Sequence, residues 1–231
     1  PITVAIISTG DEIVDFRGAA DPGKIRNINS IVLSSLVRRC GALVKDFGIV
    51  SDEESSFFST LEQAVEQTDL VLFSGGSSVG MRDLGEQAIE RIGHPGILVH
   101  GVSLKPGKPV IIGLCHKSPV FGLPGHPVSA MVCYDFFVKP AIETLSGKYG
   151  GEQNFQPSIR ARLKRNINSA AGRLDVVRVS LHFETDEFHA HPIMGKSGAI
   201  STLSKAHGYF LVEEESQGVS TDEFVEVYLY Q

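Results

Sequence analysis

The chain has 231 residues, 42% of them hydrophobic and 21% charged, the balance of an ordinary globular protein with room for one large or two modest domains. A formal net charge of −6 argues against broad, backbone-driven nucleic-acid binding, although a local basic cluster can still hold a small anion. There is no basic-then-apolar leader pattern, no apolar run near the roughly 20 residues of a membrane span, and no metal spacing among Cys40, Cys115 and Cys133, so a cytoplasmic protein with free thiols and no membrane partner is expected.

Pro1-Ile2-Thr3-Val4-Ala5-Ile6-Ile7 opens a buried strand over 2–8 without an initiating Met, which leads us to expect an excised fragment or missing earlier domains. Residues 29–40 form an amphipathic helix with Ile31, Val32, Leu33, Leu36 and Val37 on its apolar face, closed by Gly41. A strand follows over 43–50, then a helix over 55–67 carrying Phe57, Phe58, Leu61 and Val65. The third strand, 70–73, runs into a glycine-serine loop and a helix over 83–92. Short strands at 97–102, 109–114 and 120–122 precede a long helix from Pro127 to about 145, ending near Gly147. Alternating strand and helix patterns, with runs buried on both faces, imply an α/β domain over 1–150 with a three-layer, mostly parallel sheet. Beyond Lys148-Tyr149-Gly150-Gly151 the helix patterns vanish, and strand-like stretches recur at 158–164, 175–184, 188–192, 209–214 and 224–230. Residues 151–231 therefore read as a small all-β, barrel-like domain behind a glycine linker.

The segment Ser74-Gly75-Gly76-Ser77-Ser78-Val79-Gly80 joins the third strand to its helix. Glycines let the backbone approach a ligand, and a helix start offers free N–H donors, so the unit points to a phosphate-bearing ligand. It is neither a Walker A loop nor a Gly-x-Gly-x-x-Gly fingerprint. Carboxylates gather where three strands end: Thr9-Gly10-Asp11-Glu12, Ser51-Asp52-Glu53-Glu54, and Asp83 beyond the glycine loop. Parallel connections bring those ends to one edge, where open α/β sheets bind ligands. Asp83 with Glu86, and Ser51 with Glu54, also read as helix caps, and Thr9-Gly10-Asp11 as a plain turn. A phosphate loop ringed with acids repels its own ligand unless a divalent cation lies between them, so Mg²⁺ is expected with the phosphate. Lys105-Pro106-Gly107-Lys108-Pro109 reads as a type II turn fixing two lysines, either an oxyanion holder or a solvated hairpin tip. Gly122-Leu123-Pro124-Gly125-His126-Pro127-Val128-Ser129 is a second rigid turn, with His126 at a helix start and Ser129 in its first turn.

Ser8-Thr9-Gly10-Asp11-Glu12, Ser74-Gly75-Gly76-x-Ser78-x-Gly80-x-x-Asp83, Lys105-Pro106-Gly107-Lys108-Pro109 and Gly122-Leu123-Pro124-Gly125-x-Pro127-Val128-Ser129, in that order, resemble the molybdopterin molybdotransferases of the MoeA and gephyrin E-domain type. The resemblance implies an enzyme that inserts molybdate into adenylylated molybdopterin with Mg²⁺-assisted loss of AMP. It also implies a homodimer supplied by an upstream adenylyltransferase. Carried onto this chain, it implies Glu12, Asp52 and Asp83 as acidic residues around metal and pyrophosphate, and Lys105 and Lys108 as holders of molybdate or phosphate. Thr9, Gly10, Asp11, Ser74, Gly75, Gly76, Ser78, Gly80, Pro124, Gly125, Pro127 and Ser129 become the ligand-binding set. Two departures stand out. Asn27 lies where relatives often carry Asp, and His126 where Asn is common. Two alternatives compete with the transferase: the adenylyltransferase that precedes it, which normally lacks the β-rich tail, and a non-catalytic molybdopterin-binding module of a larger protein.

Overall fold

The computed structural model describes residues 1–75, 79–148, 156–195, 198 and 201–230. The chain divides into two units: Pro1–Val102 with Pro109–Gly151, and Ser103–Lys108 with Glu152–Gln231. In the first, β1 (Thr3–Thr9) leads through a short parallel pair, β2 (Ile13–Val14) and β3 (Ile25–Arg26), to α1 (Ile28–Arg39). Next come β4 (Leu43–Val50), α2 (Glu54–Gln67), β5 (Leu70–Gly75), α3 (Val79–Ile92) and β6 (Gly96–His100). After β7 (Leu104–Lys105), which belongs to the second unit, the first resumes with β8 (Ile111–Cys115), β9 (Ser118–Leu123) and α4 (Pro127–Cys133). A π-helical turn, Tyr134–Val138, then leads into α5 (Lys139–Leu145).

The sheet order is β4-β1-β5-β9-β8-β6. The first four strands are parallel, and β8 runs antiparallel to both its neighbours. The alternation of β1 builds a core on each face. Val4 and Ile6 pack with Leu33, Val37, Leu72 and Tyr134, while Ala5 and Ile7 pack with Phe57, Leu61, Phe73 and Ile89. Each fully buried large side chain contributes about 1.5–3 kcal/mol. The register sets Thr9 against Val50 and Gly75, so the C-terminal ends of β1, β4 and β5 share one edge.

Most boundaries shift by one or two residues, and two helices differ more from the sequence reading. The helix expected from 83 begins at Val79, because the glycine-rich lead-in carries little helical signal. The helix expected unbroken over 127–145 contains the π-helical turn. Pro140 explains it: proline lacks the N–H that would bond the Phe136 carbonyl and its ring crowds that group, which the wider turn relieves.

In the second unit, β10 (Ser158–Leu163) and β11 (Ile167–Asn168) precede β12 (Leu174–Glu184) and β13 (Glu187–Pro192). A one-turn helix, α6 (Ser201–Ser204), β14 (Gly208–Val212), β15 (Gly218–Val219) and β16 (Phe224–Leu229) complete it. Strands β13, β10, β16, β14 and β12 form a ring that closes through the β12–β13 pairing, a five-stranded barrel. Leu163, Val179, Ala190, Phe210, Val212 and Val227 fill it. Strand β7 adds in parallel to the start of β12, pairing Leu104 with Leu174 and Lys105 with Asp175. Two residues are too few to show a period, so this excursion left no trace in the pattern along the chain. The expected linker residues Tyr149, Gly150 and Gly151 lie outside the described residues.

Candidate functional site

The turn after β1 is closed by Ile13 N–H donating to the Gly10 carbonyl, 2.9 Å. Gly10 sits at φ +136°, and a Cβ there would fall 2.8 Å from Glu12 Oε2, so only glycine lets the Glu12 carboxylate fold back on the turn. Across the edge, Asp11 N–H donates to Asp52 Oδ2 (3.4 Å) and Asp52 N–H donates to Asp11 Oδ1 (3.3 Å). This reciprocal bracket ties the end of β1 to the end of β4. Asp52 Oδ1 is buried without a hydrogen-bond partner among the described residues. Burial raises the Asp52 pKa, the Asp11 N–H bond opposes the rise, and the charges of Asp11 and Glu12 add to it. Lys24 Nζ donates to the Asp11 carbonyl at 2.8 Å.

Beside this bracket Thr9 is fully buried, and its Oγ1 also lacks a partner among the described residues. A Cβ at Gly75 would lie 1.6 Å from that hydroxyl. The glycine is therefore required by the threonine opposite it. Ser74 is buried at the end of β5; Gly76 and Ser78 fall outside the described residues. Gly80 lies within the first turn of α3.

Neither acid that also read as a cap is one. Asp83 is inside α3, in its second turn and exposed, and Glu86 faces His100 Nδ1 at 3.3 Å. The N-cap of α2 is Glu53, whose side chain makes no capping bond to the helix backbone, while Ser51 is exposed and precedes it. Asp83 makes no hydrogen bond or ion pair with Glu12 or Asp52 among the described residues. Nor does any group of three or more His, Cys, Asp or Glu among them gather to hold a metal ion.

At the end of β9, Pro124 and Ser129 are buried, Gly125 and Pro127 half-buried, and His126 is exposed as the α4 N-cap without a side-chain bond. Asn29 Nδ2 donates to the Gly125 carbonyl, 2.9 Å, tying this turn to α1. Asn27 is buried, donates to Ser8 Oγ (2.9 Å) and caps α1 by accepting from Ser30 N–H (3.3 Å). Its role as a lock between β1 and α1 suits an amide as well as an acid. In the sequence Asn29 was legible as a helix start and Asn27 as a departure from the family resemblance; their long-range partners were not legible.

Residues 5–144 match the family described as "Probable molybdopterin binding domain", and residues 160–230 match "MoeA C-terminal region (domain IV)". The chain is 34% identical to a Methanocaldococcus jannaschii protein named for molybdopterin biosynthesis, over 99% of its own length and 55% of the relative's. It is 31% identical to a molybdopterin molybdenumtransferase of Haemophilus influenzae, over 98% of this chain and 55% of that one. A crystal structure of a MoeA protein from Pyrococcus horikoshii superposes with a TM-score of 0.84 at 34% identity, covering 100% of this chain and 55% of that one.

The chain belongs to the MoeA family. It spans about half the length of the curated relatives it matches. Its second unit carries the two lysines of the third MoeA-like motif, both exposed. Lys105 Nζ lies 3.3 Å from Asp175 Oδ2. The turn between the lysines is not type II: the Lys105–Pro106 peptide is cis, and Gly107 sits at φ +129°. No helix among the described residues is long and apolar enough to cross a membrane.

Proposed function

We propose that this MoeA-family chain forms the molybdopterin-binding and C-terminal portions of a molybdopterin molybdotransferase, which inserts molybdate into adenylylated molybdopterin with Mg²⁺-dependent release of AMP. The observation that carries the reading is the unbalanced acidic edge. The Asp11–Asp52 bracket leaves Asp52 Oδ1 buried without a partner, beside the charge of Glu12. An oxygen held in that state suits a hard cation, and Mg²⁺ asks for only one or two protein carboxylates because substrate phosphates and water complete its shell. Glu12 and Asp52 would hold the ion, with Asp83 reaching the same ligand from α3. The chemistry such an ion would supply there is charge neutralisation at the pyrophosphate link and the departing AMP.

The chain's own groups bind and orient. Thr9 Oγ1, without a partner among the described residues, would offer a donor to a ligand oxygen at the ends of β1 and β5. Asp11, Gly10, Ser74, Gly75 and Gly80 line the pterin-phosphate side in this reading, and Pro124, Gly125, Pro127 and Ser129 shape the turn after β9. As the family resemblance implies, Lys105 and Lys108 would hold molybdate or phosphate. A homodimer and an upstream adenylyltransferase enter from the family resemblance. Cys40, Cys115 and Cys133, which form no disulfide, support a reducing compartment such as the cytoplasm. The barrel at 160–230 speaks against the adenylyltransferase reading, since its match is to a MoeA domain.

The test is AMP release from adenylylated molybdopterin with Mg²⁺ and molybdate, with pterin binding followed in the same samples of the full-length protein. Release that depends on molybdate supports the transferase. Binding without release would select a non-catalytic pterin-binding module instead, and formation of adenylylated pterin from ATP would overturn both.

A further inference from the structure

We propose that Asp175 is a positioning residue for Lys105, holding its ammonium group ready for an oxyanion. The inference rests on the reading of Lys105 as an anion holder, and all its groups lie in the second unit. Asp175 is almost fully buried, 4% exposed, at the start of β12. Its Oδ1 accepts from Arg173 Nε at 2.8 Å. Its Oδ2 accepts from Arg173 at 3.4 Å and from Lys105 Nζ at 3.3 Å. The backbone fixes the same relation, because Lys105 pairs with Asp175 in the β7–β12 ladder and Leu174 N–H donates to the Ser103 carbonyl, 2.9 Å.

The charge arithmetic separates this cluster from an ordinary ion pair. A lysine paired one-to-one with a carboxylate presents no net charge. Here two cations share one buried carboxylate, so a net charge of about +1 remains on side chains that reach solvent. The Lys105 side chain is 55% exposed although its ammonium is tethered. One of its three N–H donors is taken by Asp175, and two are left to point at a ligand oxygen. A long, flexible lysine loses rotamer freedom when it grips an anion, and a tether that has already removed that freedom strengthens the grip.

The experiment compares full-length wild type, D175N, D175E, K105M and the K105M/D175N double variant. Two readouts are taken: molybdate affinity by equilibrium dialysis, and the KM for molybdate against that for adenylylated molybdopterin. The expected result is a molybdate affinity about tenfold weaker in D175N and K105M. D175E should be intermediate, the pterin KM unchanged, and D175N should add nothing in the K105M background. A molybdate affinity unchanged in D175N but weakened in K105M overturns the role of Asp175 and leaves the reading of Lys105 intact. An affinity unchanged in K105M overturns both. If D175N does not fold, D175E against K105M carries the same decision, because a lengthened carboxylate displaces the ammonium while keeping the charge.

Discussion

The two units treat their inward-facing aspartates in opposite ways. At the strand ends of the α/β unit, Asp52 is bracketed by the backbone of Asp11, faces further negative charge, and has one buried oxygen without a partner among the described residues. At the start of the barrel's β12, Asp175 is buried more deeply yet receives Arg173 on both oxygens and Lys105 on one. A buried carboxylate is tolerated when it is paired and hydrogen-bonded, as Asp175 is. One left unbalanced is costly, and that cost is sensible where a ligand cation supplies the missing charge. The barrel settles its own electrostatics; in the function proposed above, a bound cation would settle those of the acidic edge.

That contrast can be broken most directly by charge removal. Asp52→Asn in the full-length protein should lower Mg²⁺-dependent AMP release by about 10²-fold. Its melting temperature should stay level or rise, whereas Asp175→Asn should melt a few degrees lower, at about 2–4 °C per kcal/mol lost. Equal melting losses in the two would erase the distinction. Asp83→Asn should likewise weaken AMP release far more than folding, since Asp83 caps no helix; matched losses would mean a structural role. Gly75→Ala tests the steric half of the edge. Its Cβ would meet Thr9 Oγ1 at 1.6 Å and the Thr9 backbone at 2.8 Å, so a loss of about 1–3 kcal/mol is expected in denaturant titrations.

Two smaller effects follow from pH. Burial pushes the Asp135 carboxyl up to about 6 from an ordinary 3.8, with Lys139 and Arg39 opposing the shift. The folded state therefore holds that proton more tightly, and stability falls as pH rises from about 4 to about 6. Asp135→Asn should remove this slope and melt higher than wild type at pH 7, with little difference at pH 4; an unchanged slope would show that Asp135 is not its source. In the barrel, burial lowers the His191 pKa, helped by the neighbouring His182, His189 and Lys164. There the unfolded chain takes up the proton first, so stability is lost as pH falls below its ordinary 6.5. His191→Gln should flatten the acid limb of a melting curve slightly, and a wild-type acid limb in that variant would locate the loss elsewhere.

Much of the fold was readable in advance. The runs at 2–8, 43–50 and 70–73 appear as β1, β4 and β5, and the five strand-like stretches of the tail all find places in the barrel. Long apolar runs and period-two alternation are local properties, set by which side chains must leave water, so the sequence carries them openly. The acids at the strand ends were legible for a related reason: parallel topology sends successive C-termini to one edge whatever the loops do. What was not legible was pairing. That Asp11 and Asp52 bracket each other, that Asn29 reaches Gly125, and that Pro140 shares its helix with a π-helical turn all depend on partners distant in sequence or on how a helix absorbs a local clash.

The sequence by itself determined the class of each unit and the order of its main elements, because burial periodicity is written residue by residue. Tertiary structure alone decided that Lys105 belongs to the barrel's ladder, that Asp175 is its partner, and that Thr9 Oγ1 and Asp52 Oδ1 are left open. Whether a buried polar atom is satisfied is a property of its neighbours in space, and no spacing along the chain records it.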